Sequence, residues 1–142
     1  MIPTDLRRKI GYYMRYLLPF TFMLMATQAS ALPPLKDVPE IRDGIIAAGM
    51  AIEIGDKCDS ISVRLLRGAL YLKSLKSRAE DLGYSRAEID AYVDDKVEKA
   101  RLEGIARAQL ADLGAVTGQG DTYCTVGRSE MEAQTAVGRL LR

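Results

Sequence analysis

Ser85-Arg86-Ala87-Glu88, followed by Ile89, Val93, Val97 and Ala100 and closed by Gly114, is the stretch from which the fold is read. A serine three residues ahead of a glutamate forms a capping box, in which each side chain satisfies a backbone amide left free by the first helical turn. The apolar residues behind it recur at roughly helical spacing. The pattern predicts one long helix from Ser85 to about Leu113, with Gly104 marking a bend and Gly114 as the stop.

The same spacing continues on both sides. Upstream, Ile61, Leu65, Leu72, Leu75, Ala79 and Leu82 form a stripe that Leu66 and Leu70 widen, predicting a helix over 60–82 ended by Gly83. Ahead of it, Asp37-Val38-Pro39-Glu40 reads as a capped start with proline in the first turn, and a helix follows to about Asp56. Ile41, Ile45 and Ile52 give that helix an apolar side. Gly44, Ala48, Ala51 and Gly55 give it a flat stripe that lets a neighbour pack closely. Downstream, Val116 to Gly120 reads as a loop, and Asp121 or Thr122 as the cap of a fourth helix that carries Cys124 towards Leu141. No strand pattern, internal repeat or low-complexity segment is present. The expected fold is all-α, a small four-helix bundle-like domain over residues 32–142.

Residues 1–31 read as an export signal. Arg15 precedes an apolar run of about eleven residues, Tyr16 to Ala26, and Ala29-Ser30-Ala31 has the small-x-small form that signal peptidase cuts. A membrane-spanning helix needs roughly 20 apolar residues, so the segment is expected to be cleaved after Ala31 rather than retained as an anchor. Leu32, not cysteine, follows the cut, which gives no support to lipoprotein processing. Arg7-Arg8-Lys9 lacks the context of a twin-arginine signal, and Met14 offers a second start that leaves a compact signal by itself. The expected destination is the periplasm. Cys58 and Cys124 both lie in the mature part, and an oxidising compartment would join them. Redox catalysts usually hold their two cysteines two residues apart; these enclose a 65-residue loop, so the pair is expected to be a structural disulfide.

Composition excludes several function classes. The chain has 20 Lys+Arg against 19 Asp+Glu, and without residues 1–31 the count is 16 against 18, a formal charge of −2. That balance does not suit a nucleic-acid binder. There is no histidine, the commonest general base and metal ligand. Two cysteines cannot close a four-ligand zinc site. No phosphate loop or nucleophile motif accompanies Ser129. No catalytic residue, metal or cofactor is implied.

Three side-chain groups remain as candidates. Arg64, Arg67, Lys73, Lys76 and Arg78 make the second helix basic, and form a candidate partner-binding face for anionic lipid or an acidic partner. The plainer reading pairs them with Glu88, Asp90, Asp94, Asp95 and Glu98 of the next helix. Asp94 and Glu98 would share a face of that helix, interleaved with Lys96, Lys99 and Arg101, and read as a solvated surface. Glu130 falls in the apolar arc of the fourth helix, between Tyr123, Val137 and Leu141, and is a candidate buried charge that needs a partner, such as an arginine of helix one or two.

The mature chain resembles a family of small exported bacterial proteins of unknown function. The likeness rests on Leu32-Pro33-Pro34-Leu35-Lys36-Asp37-Val38-Pro39, Cys58-Asp59-Ser60-Ile61-Ser62, Tyr71-Leu72, Gly83-Tyr84-Ser85, Asp90-Ala91-Tyr92-Val93, Lys99-Ala100-Arg101 and Tyr123 to Glu130. Some relatives carry a respiratory NADH dehydrogenase label. This sequence has neither the cysteines of an iron–sulfur subunit nor a dinucleotide fingerprint, and such labels read as inherited from gene neighbourhood. The resemblance implies no catalytic residue. The expected role is a non-enzymatic interaction or accessory protein of the envelope. The alternatives are an accessory subunit of a membrane respiratory complex, and an enzyme using carboxylates such as Glu130.

Overall fold

The structure, a computed structural model, describes residues 31–142. The predicted signal peptide, apart from Ala31, lies outside them. The described chain is all-helical, with five α-helices: α1 (Pro39–Lys57), α2 (Leu65–Asp81), α3 (Arg86–Asp94), α4 (Lys96–Asp112) and α5 (Gly120–Glu132). Short 3-10 turns at Leu35–Asp37 and Gly138–Leu140 flank them.

The long helix expected from Ser85 is two helices. The Ser85–Glu88 capping box starts α3. At Asp95 the backbone turns extended, and its carboxylate accepts from the amides of Val97 at 2.8 Å and Glu98 at 3.0 Å. Asp95 thus caps a fresh helix. Gly104 lies inside α4 without breaking it. The first helix begins at Pro39 behind Val38. Asp37, expected to cap it, belongs to the preceding 3-10 turn and makes no cap bond. Residues 60–64 are not helical. Ser62 and Arg142 exchange two backbone hydrogen bonds of 2.9 Å, and the Arg64 amide donates to Leu140 at 2.8 Å. The chain's last residues therefore pin the entry to α2.

Helix ends follow one device. At Gly83 the amide of Tyr84 reaches back to Ala79 and that of Gly83 to Glu80. At Gly114 the amides of Ala115 and Gly114 reach Leu110 and Ala111. Both are Schellman closures, which require a left-handed residue after the helix. The end of α5 repeats the pattern with a glutamine: Gln134 has φ 52, and the Thr135 amide reaches the Glu130 carbonyl. The helix expected to continue towards Leu141 stops there.

α1 is the central element. It buries Ile46, Ala47, Ala48, Met50, Ala51 and Ile54 against α4, α5 and the C-terminal turn. A smaller cluster of Leu35, Ile41, Ala79, Tyr84 and Ile89 closes the other end. The small residues serve close approach. A methyl on Gly44 would meet the Leu75 δ-carbons at 2.7–2.8 Å, and one on Gly127 would meet Ile61 at 2.7 Å. Cys58 and Cys124 form a disulfide that ties the residue closing α1 to the second turn of α5.

Candidate functional site

The basic residues of α2 divide into two groups. Lys76 pairs with Asp90 of α3 at 2.9 Å, and Arg78 with Glu40 of α1 at 3.0 Å. Those two bridge neighbouring helices across the exposed surface. Arg64, Arg67 and Lys73 take part in no ion pair among the described residues. The C-terminal segment adds Arg139 and Arg142 to this end of the molecule, also without ion pairs. Arg67 donates to the Arg139 carbonyl at 3.5 Å, and Arg142 to the Ser62 hydroxyl at 3.2 Å. The buried Nε–H of Arg64 has no acceptor.

Leucines expected in the core lie outside it here. Leu65 is 80 % exposed, Leu66 77 % and Leu70 58 %. Leu66, Leu70 and Lys73 are spaced i, i+4 and i+7, which places them on one side of α2, opposite the inward Leu75 and Ala79. The helical periodicity holds, but the neighbours of α2 cover only the side that carries Leu75 and Ala79. The result is an exposed face of leucines flanked by Arg67 and Lys73, which form no ion pair among the described residues.

A groove of about 370 Å³ opens between α1, α2, α3 and α4. Its walls are Ile41, Ile45, Ile52, Leu72, Leu75, Ile89 and Leu102, and Ala48, Gly49 and Ala79 leave its floor flat. Its charged lining residues are Lys76, Lys99 and Glu103. Such a wall can hold apolar matter. A second, shallower cavity of about 400 Å³ lies under the N-terminal segment, beside Tyr84, Glu88, Tyr92 and Glu98.

Glu98 is the buried carboxylate that sequence reasoning placed in solvent. It is 9 % exposed, accepts from Arg101 Nε at 2.8 Å, and accepts from the Tyr92 hydroxyl at 3.3 Å. The Arg101 hydrogen bonds hold its pKa below the ordinary 4.5. Burial first, then the Glu98 charge, push the Tyr92 phenol up to about 12. The visible signal was Asp95-x-x-Glu98-x-x-Arg101, a cap followed by an i,i+3 ion pair. Fully partnered, the cluster locks the α3–α4 corner.

Glu130 is half-buried, and the structure gives it no arginine. Its carboxylate accepts from the Thr135 hydroxyl, while its carbonyl accepts the Thr135 amide. It lines neither cavity. Its geometry is that of a helix-end residue. Among the described residues no group of three or more Cys, Asp or Glu is placed to hold a metal, and no helix is long and apolar enough to cross a membrane.

A family model described as a family of unknown function (DUF5333) matches residues 33–142, and the chain belongs to that family. No curated protein and no solved structure matches the chain.

Proposed function

We propose that this member of a family without an assigned role is a non-enzymatic contact protein of the bacterial envelope. In this reading it is exported, trimmed to Leu32, and stapled by Cys58–Cys124 in the periplasm. The observation that carries the reading is the outward face of α2, where Leu65, Leu66 and Leu70 stand exposed beside Arg67 and Lys73. Burying a leucine side chain is worth about 1.5–3 kcal/mol, so leaving three in water is a cost that a docking surface would recover. Lys76 and Arg78, already paired, drop out of the candidate face. Binding to a membrane respiratory complex would be one special case of this role.

The test is proximity labelling and cross-linking of the exported protein in its own envelope. Arg67→Glu with Lys73→Glu is the informative variant, because Arg64 is too enclosed for a clean charge reversal. Loss of the captured neighbours at an unchanged melting temperature is the expected result. Unchanged capture would defeat the reading. A turnover abolished by Glu130→Gln without a lower melting temperature would replace it with the enzymatic alternative.

A further inference from the structure

We infer that the surface which the start of α2 meets is an anionic phospholipid bilayer; this rests on the contact reading above and names its partner. Leu66 and Leu70 form an outward stripe continued by Lys73, with Leu65 and Arg67 on either side. The C-terminal segment runs past the start of α2, where Arg67 donates to the Arg139 carbonyl; the Arg139 side chain itself turns to the Gln134 carbonyl at 2.7 Å and Arg142 to the Ser62 hydroxyl. None of Arg64, Arg67 or Lys73 forms an ion pair with a carboxylate among the described residues.

Leucine on one side with lysine and arginine alongside is the composition of helices that lie in the headgroup region, apolar side chains inserted and cations on the phosphates. Two other occupants fit less well. A second copy meeting this face symmetrically would set Arg67 and Lys73 against like charges. A folded protein partner favours aromatic anchors seated in pockets, and here the large apolar residues are leucines that line neither cavity. The domain's net charge of −2 does not oppose the contact. At physiological salt the field of a charge fades within about 8 Å, so the local basic group decides.

The experiment is co-sedimentation of the oxidised, exported protein with vesicles of phosphatidylglycerol mixed into phosphatidylcholine, against phosphatidylcholine alone. Binding to the anionic vesicles only, weakening as salt rises, is expected. Leu66→Gln with Leu70→Gln should weaken it at least tenfold, and Arg67→Glu should weaken it more than Arg107→Glu, an equal charge change on exposed α4. All variants should keep the parent melting temperature. Absence of sedimentation with anionic vesicles at low salt overturns the inference. So does equal loss from Arg67→Glu and Arg107→Glu, or binding indifferent to the leucines. If vesicles fail while Arg67→Glu with Lys73→Glu still removes cross-linked protein neighbours, the lipid is wrong and the contact reading stands. If both fail, both fall.

Discussion

Val63 and Leu141 face each other in an antiparallel bridge that joins the α1–α2 connection to the last turn of the chain. Leu141 is 1 % exposed and packs in the main core with Ile54 and Cys58. The bridge also sets where α2 begins, and so which of its leucines face outward. Leu141→Ala is expected to cost about 2–5 kcal/mol, the range for deleting a buried leucine side chain. Denaturant unfolding measures it. A loss under about 1 kcal/mol would show that the site collapses around the gap.

Much of this fold was legible in the sequence for local reasons. The Ser85–Glu88 box, Gly83 and Gly114 act within five residues of themselves, and each was read correctly as a start or stop. The cysteine pair was legible because only one pairing exists. Residues 60–64 were misread as helix because Ile61 and Leu65 have helical spacing. Their partner is Leu140 to Arg142, some eighty residues away, and no local pattern announces it. The exposed leucines follow from the same limit, since periodicity shows that a face exists and not whether neighbours cover all of it. Glu98 was lost through assuming one continuous helix. Once Asp95 is recognised as a cap, Glu98 falls in a first turn that packs against Tyr92.

Cys58 and Cys124, 2 % and 8 % exposed, cross-link the end of α1 to the start of α5. Closing a loop of this length is worth about 4 kcal/mol in the chain-entropy account. Cys58→Ala with Cys124→Ala is expected to lower unfolding free energy by about 2–5 kcal/mol while leaving the helical circular dichroism of the folded state intact. Peptide mapping of periplasmic protein without reductant should recover the Cys58–Cys124 pair, with Leu32 at the N-terminus. Two free thiols, or a mature chain that retains residues 14–31, would contradict the export reading on which the pair was expected.

Gln134 occupies the left-handed position that glycine fills at Gly83 and Gly114. A side chain there costs about 1–2 kcal/mol in backbone strain, partly offset because glycine is freer in the unfolded chain. Its amide side chain recovers one bond, donating to the Met131 carbonyl at 2.6 Å. Gln134→Gly is therefore expected to stabilise modestly, by about 0.5 kcal/mol. Gln134→Val, β-branched at the same φ, should destabilise. Thermal melts of the two variants check the opposite signs, and equal shifts would refute the assignment.

The Glu98 cluster contributes to the pH response at both ends, and Tyr71, whose phenol burial also raises, adds to the alkaline end. The folded pKa of Glu98 lies below its ordinary value because Arg101 donates to its carboxylate. The folded state therefore binds that proton less readily than the unfolded chain. The resulting stability is present above about pH 4.5 and is lost as pH falls through the lowered folded value. Tyr92 moves the other way. Its phenol is raised from 10.0 to about 12 by burial and by Glu98, so the fold favours the neutral form. That stability is complete below pH 10 and drains away as pH rises towards 12. Glu98→Gln should flatten the acid limb and lower the melting temperature at neutral pH, because Arg101 loses its charged acceptor. Tyr92→Phe should reduce the alkaline limb between pH 10 and 12, leaving the share of Tyr71, and should shrink the acid limb only slightly, because Arg101 rather than Tyr92 is the main cause of the lowered Glu98 value. Melting temperature against pH for the parent and both variants decides it. An alkaline limb unchanged in Tyr92→Phe would move its origin to Tyr71.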